Sequence, residues 1–137
     1  MTIKHEDLML NQASEQPSPE QQIINAHRHL LALNHAREGE TEQLLEMIQQ
    51  GLAVDFADSS QNTLLMLACY YGHTKTARML IEQGADIEKR NIRGQTPLGG
   101  VAFKGYDEVA SLLLKNGADP HADSGAGATP TMFATMF

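Results

Sequence analysis

The sequence predicts an all-α solenoid, a row of two-helix units repeating every 33 residues. Three observations lead there. First, the stretch Asn91 to Asp123 falls on earlier and later chain when shifted by 33 residues: Gly105 lands on Gly72 and Gly39, Gly117 on Gly84 and Gly51, Thr96 on Thr63 and Thr129, and Pro97 on Pro130. Second, each window holds two apolar runs with helical spacing, separated by one of these glycines. Third, there is no apolar run long enough for a membrane helix, and Cys69 is the single cysteine, so no internal disulfide forms. The 137 residues then divide into a mobile tail (1–17), a degenerate capping copy (18–57), two full copies (58–90 and 91–123) and a fragment (124–137).

Charge narrows the partners. The net charge is −7, and residues 1–58 carry all of the excess, with ten acids and three bases against seven of each in 59–137. An acidic chain attracts no polyanion at long range, so nucleic acid is not an expected partner. The first residues, Met1-Thr2-Ile3-Lys4-His5-Glu6-Asp7, lack the apolar core of a signal peptide. Together with the lone cysteine, this gives cytoplasmic as the expected location and no membrane association.

Residues 1–17 are polar without sustained period, which reads as a mobile tail; the sharper reading is a docking peptide through Ile3, Leu8, Met9 and Leu10. Ser18-Pro19-Glu20-Gln21 then starts a helix, with Ser18 as cap, Pro19 at the first helical position and Gln21 placed for a capping box. Apolar residues follow at Ile23, Ile24, Leu30, Leu31 and Leu33. The register puts the first helix of repeat one at about 30–38, which makes 19–29 an extension that covers the open end of the array. Thr41-Glu42 opens the second helix, with acids where the helix dipole favours them; Leu44, Leu45, Met47 and Ile48 form its buried stripe and Gly51 stops it.

In repeat two the expected helices are Leu64 to Tyr71, turned inward through Leu65, Leu67, Ala68 and Cys69, and Thr74 to Gln83, turned inward through Ala77, Leu80 and Ile81. In repeat three a helical run from Leu98 to Lys104 contains Gly99 and Gly100, each costing about 1 kcal/mol relative to alanine. The register pairs Gly100 with Leu67 upstream and Phe133 downstream, so Phe133 is expected to fill the space at Gly100. In the fragment, Thr129-Pro130 opens a helix and the chain stops at Phe137, one residue before the next inter-helix glycine is due. Met132, Phe133, Met136 and Phe137 then lack cover, which points to a shortened chain or a tail completed by another chain.

The matching residues resemble a known family. Gly94-x-Thr96-Pro97-Leu98, Ala102-x-x-Gly105 and Leu113-Leu114-x-x-Gly117-Ala118-Asp119 are similar to an ankyrin repeat, as are Thr63-Leu64-Leu65, Ala68, Gly72-His73 and Gly84-Ala85-Asp86. The resemblance covers about residues 29–137, and Leu64 departs from it where the family has proline. It implies an ankyrin-repeat solenoid: a helix-turn-helix per repeat, β-hairpin-like fingers between repeats, and a recognition surface instead of an active site. Binding in that family uses finger tips and the inner side of the first helices. The matching positions are Arg37 in repeat one, with Glu38 beside it, then Ser59, Ser60, Asn62, Tyr70 and Tyr71 in repeat two. In repeat three they are Ile92, Arg93, Gln95, Phe103 and Lys104.

Tyr70, Phe103 and Arg93 are the preferred anchors, because aromatic and arginine side chains dominate binding energy. The plainer alternative is that Tyr70 and Phe103 only pack on each other. Lys89, Arg90 and Arg93 form a basic cluster, either a contact for an acidic partner or a solvated loop paired with Glu88 or Asp123. The six histidines offer no zinc-binding spacing: His27, His29 and His35 are not at i, i+4, His73 occupies a structural place in the family, and His121 lies in a loop. No metal, cofactor or catalytic residue is therefore expected, and Cys69 reads as a buried thiol. The function expected is a non-enzymatic module that binds a partner protein. The alternative is a self-associating element, a weak homo-oligomer through Met132, Phe133, Met136 and Phe137.

Overall fold

The computed structural model describes residues 17–102 and 104–121. Among them lie α1 (Pro19–Glu38), α2 (Thr41–Gln49), α3 (Leu64–Tyr70), α4 (Thr74–Glu82), α5 (Pro97–Val101) and α6 (Asp107–Lys115). The chain divides into two compact units, residues 1–30 and 31–137. The tail, Phe103 and the C-terminal fragment, with Met132, Phe133, Met136 and Phe137, lie outside the described residues.

In the first unit, the Ser18 hydroxyl accepts the Gln21 amide at 3.1 Å and so caps α1 as its sequence suggests. The capping box does not close. Gln21 turns its side chain along the helix and donates to Asn25 Oδ1 at 3.0 Å, while Gln22 reaches back to the Pro17 carbonyl at 3.1 Å. Ile23, Ile24 and Leu30 are exposed, at 70%, 52% and 60%. Helical spacing of apolar residues here does not produce a buried stripe.

The second unit has two layers of helices. Packed in series, α2, α4 and α6 form one layer, and α3 packs on α5 in the other; within a repeat, α3 packs on α4 and α5 on α6. Leu44, Leu64, Leu65, Leu80 and Leu113 are fully buried between the layers, and each contributes roughly 1.5–3 kcal/mol by leaving water. Because α3 touches both its repeat partner and α5, it is buried from Leu64 through Cys69, not only on the four expected residues. In α4, Ala77 and Leu80 are buried as expected, Ile81 is half-buried, and Thr76 and Met79 join the core. The Thr76 hydroxyl is tolerated there because it shares a 2.7 Å hydrogen bond with the Thr41 hydroxyl one repeat earlier.

Two buried threonines start the first helices. Thr63 accepts the Met66 amide at 3.1 Å and Thr96 the Gly99 amide at 3.0 Å, each from extended backbone. Both are within 1% of complete burial, so their hydroxyls would be orphaned without these bonds. α5 is shorter than the run to Lys104 suggests and stops at Val101. Gly99 and Gly100 explain this, since two poor helix formers sit in a helix of five residues.

The turns between paired helices repeat closely. Gly39, Gly72 and Gly105 have φ of +73°, +77° and +72°, and each carbonyl accepts the amide two residues on, from Thr41, Thr74 and Asp107 at 3.0, 3.2 and 3.1 Å. The residue after each of the later glycines leans back over the earlier turn. A Cβ built on Gly39 would lie 2.5 Å from His73 Nδ1, and one on Gly72 would lie 3.3 Å from the Tyr106 ring. His73 Nε2 donates to the Arg37 carbonyl at 2.6 Å, which settles the proton on that nitrogen.

In the segments between repeats the backbone turns back on itself, with Asp58 N–H donating to the Asn62 carbonyl and Asn91 N–H to the Gln95 carbonyl, both at 3.0 Å. Among the described residues there is one isolated antiparallel bridge, Ala57 with Thr63, and no strand. What shapes these segments is side-chain capping of the backbone. Asp58 Oδ1 accepts the amides of Ser60 and Asn62, both at 2.9 Å, and Asn91 Oδ1 accepts those of Arg93 and Gln95 at 2.9 and 3.0 Å. Gln61 and Gly94, equivalent in register, both take positive φ, +66° and +76°.

Gly39→Ala should destabilise more than Gly51→Ala, although both positions have positive φ, because only Gly39 has a ring where the methyl would go. The backbone term is roughly 1–2 kcal/mol in each, and the clash adds about 1–3 kcal/mol at Gly39. Urea denaturation of both variants, repeated in a His73→Ala background where the gap should shrink, checks this. Burial pushes the Cys69 thiol up to about 12, so a thiol reagent at pH 8 should label it only at the rate of opening. Labelling as fast as in the unfolded chain would contradict the packing of α3.

Candidate functional site

A groove of about 270 Å³ opens in the second unit where the inter-repeat loops meet the first helices of successive repeats. The last turn of α1 contributes Arg37; α3 contributes Met66, Leu67, Tyr70 and Tyr71; α5 contributes Pro97, Gly100 and Val101. The loops add Asp58, Ser60 and Asn62 from one repeat and Asn91, Ile92, Arg93 and Gln95 from the next. These residues meet because the register stacks equivalent positions, with Asp58 over Asn91, Ser60 over Arg93 and Asn62 over Gln95. The loops are tied together as well: Ile92 N–H donates to the Ser60 carbonyl at 3.1 Å, and Asn91 Nδ2 donates to Asn62 Oδ1 at 2.9 Å and Gln95 Oε1 at 3.0 Å.

The floor is apolar and the rim polar. Met66, Leu67, Pro97 and Val101 are buried on helices, whereas Ile92 is 68% exposed at the loop tip. Arg37 stands 4.0 Å from Asp58 Oδ2 and donates to Asn34 Oδ1 at 3.1 Å. Since Asp58 also accepts two backbone amides, its charge is largely spent on shaping its own loop. Arg93 lines the groove and makes no ion pair among the described residues.

The aromatic side of the site is built on Tyr70. Tyr70 and Tyr71 meet edge to face, with ring centroids 5.4 Å apart, and the Lys104 ammonium sits 4.1 Å from the Tyr70 ring centroid. Tyr70 is therefore one member of a small exposed cluster, its ring engaged by a cation; Phe103 lies outside the described residues. Of the other sequence-named positions, Ser59 is exposed at the loop but does not line the groove. Nearby, the Arg90 guanidinium donates to the Gly94 carbonyl, and the Glu88 carboxylate accepts the Asp119 amide at 3.4 Å, so the basic cluster is built into the loops in part.

Sequence reasoning misses the groove's Asp58 and Asn91, although their shared register place, each with a side-chain oxygen, was a readable signal. It also treats Gly100 as a packing question and Leu67 as plain core. No group of three or more His, Cys, Asp or Glu among the described residues could hold a metal ion. No helix among them is long and apolar enough to cross a membrane.

A family model described as ankyrin repeats, in three copies, matches residues 29–124. A Pseudomonas aeruginosa protein named as an ankyrin repeat protein is 42% identical over 43 residues, which is 31% of this chain and 25% of that protein. The match thus spans about a quarter of the relative's length. Ankyrin repeats are in general protein–protein interaction modules and generally non-enzymatic. With the paired helices, the two layers and the recurring turn glycines, the match over 29–124 places this chain in the ankyrin-repeat family.

Proposed function

We propose that this chain is a non-enzymatic module that works in the cytoplasm and binds a partner protein in the groove between its inter-repeat loops and first helices. The observation that carries this reading is the groove itself. It has a buried apolar floor, an arginine at the rim without an internal ion pair among the described residues, and two half-exposed tyrosines at one end. That is the composition of a binding hot spot, where arginine and aromatic anchors surround a dry centre. At about 270 Å³ the open groove has room for side chains presented by another chain. The net charge of −7 argues against nucleic acid.

Arg37, Ser60, Asn62 and Gln95 form the polar part of this surface and Ile92 its exposed apolar tip, with Tyr70, Tyr71 and Arg93 as anchors and Lys104 holding the Tyr70 ring. Affinity capture from a native lysate with the wild-type chain and with Tyr70→Ala and Arg93→Glu checks the reading. At least one protein retained by the wild type should be lost from both variants, with affinity reduced roughly tenfold or more, and Arg93→Glu should also slow association. Retention of every captured protein by both variants, with their folds intact, would refute it.

A further inference from the structure

We propose that the space at Gly100 is a socket for one apolar side chain, of about leucine size, carried next to acidic residues on the partner. This deepens, and rests on, the reading of the groove as a partner-binding surface. Neither the backbone nor the packing of the described residues explains a glycine there. Gly100 lies in α5 outside the left-handed region, and a Cβ built on it would meet nothing within 4 Å. Any larger residue except proline would be a better helix former. One repeat upstream the register holds Leu67, which is 6% exposed and fills its place, so the missing group at Gly100 is a leucine side chain. The walls are apolar and held by helices, with Leu67, Met66, Pro97 and Val101 around the groove that Gly100 lines.

The rim selects the neighbours of that side chain. Asp58 supplies a negative charge to the groove, and it is occupied: Oδ1 accepts two backbone amides at 2.9 Å, Oδ2 accepts Asn62 Nδ2 at 3.4 Å, and Arg37 stands 4.0 Å away. Arg93 has no ion pair among the described residues, so of the three charged side chains that line the groove, Arg37, Asp58 and Arg93, two are cations, on a chain of net charge −7. Carboxylates flanking the inserted side chain would complement those cations, and lysines would oppose them.

The test uses short acetylated peptides with a central Leu, Ala or Lys, flanked by Asp and Glu or by Lys. Fluorescence polarisation reads their binding to the full chain, to Gly100→Leu and to Arg93→Glu, with a thermal melt of each variant. Acidic peptides with central Leu should bind at least about tenfold tighter than those with central Ala or with lysine flanks. Gly100→Leu should lose that binding to a similar extent while its melting temperature rises. Equal binding of acidic and basic peptides, or full binding by Gly100→Leu, overturns the proposal. So does a fall in the melting temperature of Gly100→Leu, because the space would then be filled within the folded chain. Peptides lost by Arg93→Glu but kept by Gly100→Leu remove the socket and leave the groove reading standing; peptides indifferent to both remove the two together.

Discussion

The arrangement of this protein depends on one contact, an aromatic ring laid over a turn glycine of the preceding repeat. His73 covers Gly39 and Tyr106 covers Gly72, each so close that a methyl group on the glycine would press on the ring. The glycine is thus required twice, by its positive φ and by its neighbour. The histidine adds a second link, since its Nε2 donates to the Arg37 carbonyl, near the end of α1 where helix carbonyls lack internal partners. With the turns fixed at one ring thickness, the second helices come into register. Thr41 can then meet Thr76 in the buried layer, and Lys75 can reach Glu42 at 2.8 Å on the surface. Lys75 holds the Glu42 carboxyl below its ordinary range. The small support this gives is present above that range and lost as pH falls through the lowered value, and both groups are exposed enough for solvent to screen it.

On the other side of the unit the same stacking is done by polar side chains acting on backbone. Asp55 accepts the Asp86 amide at 2.9 Å, and one repeat later Glu88 accepts the Asp119 amide. Asn91 caps its own loop with its oxygen and ties the previous loop with its nitrogen, a task that the equivalent Asp58 has no donor to perform. The loops are thereby ordered before any ligand arrives. A rim held in place loses less entropy on binding than a mobile one, so the modest size of the groove does not by itself limit affinity.

Much of this was legible in the sequence because the repeat is marked by residues with a single physical use. Gly39, Gly72 and Gly105 mark the turns, Thr63 and Thr96 the helix starts, and the spacing between them leaves little freedom for the helices. Burial was less legible. A helical pattern locates one apolar face, but α3 is enclosed by α4 and α5 and buries nearly every side chain. The same pattern overstated Ile23, Ile24 and Leu30, since spacing alone does not supply a surface to pack against. Hairpin-like fingers came from the family resemblance, and the side-chain caps of their turns on Asp58 and Asn91 are what the structure adds. The groove was half legible: register alone placed Tyr70 beside Tyr71 and Arg93 near Ser60, while the use of Lys104 by Tyr70 is a three-dimensional fact that no spacing encodes.

The paired glycines of α5 show where local and global demands part. Two glycines cost a helix about 2 kcal/mol relative to alanine, a large share of the roughly 5–15 kcal/mol that holds a domain folded. Gly99 is buried and its amide is taken by the Thr96 hydroxyl, so it belongs to the interior of its repeat. Gly100 faces open space in the groove, with no described neighbour that excludes a side chain. Rules of local propensity are broken at sites under another constraint, and at Gly100 neither strain nor crowding by a described residue supplies one. What remains is the shape of the surface: a leucine's place that no described residue fills, between an apolar floor and an arginine without an ion pair among the described residues, on a face that the loops hold still.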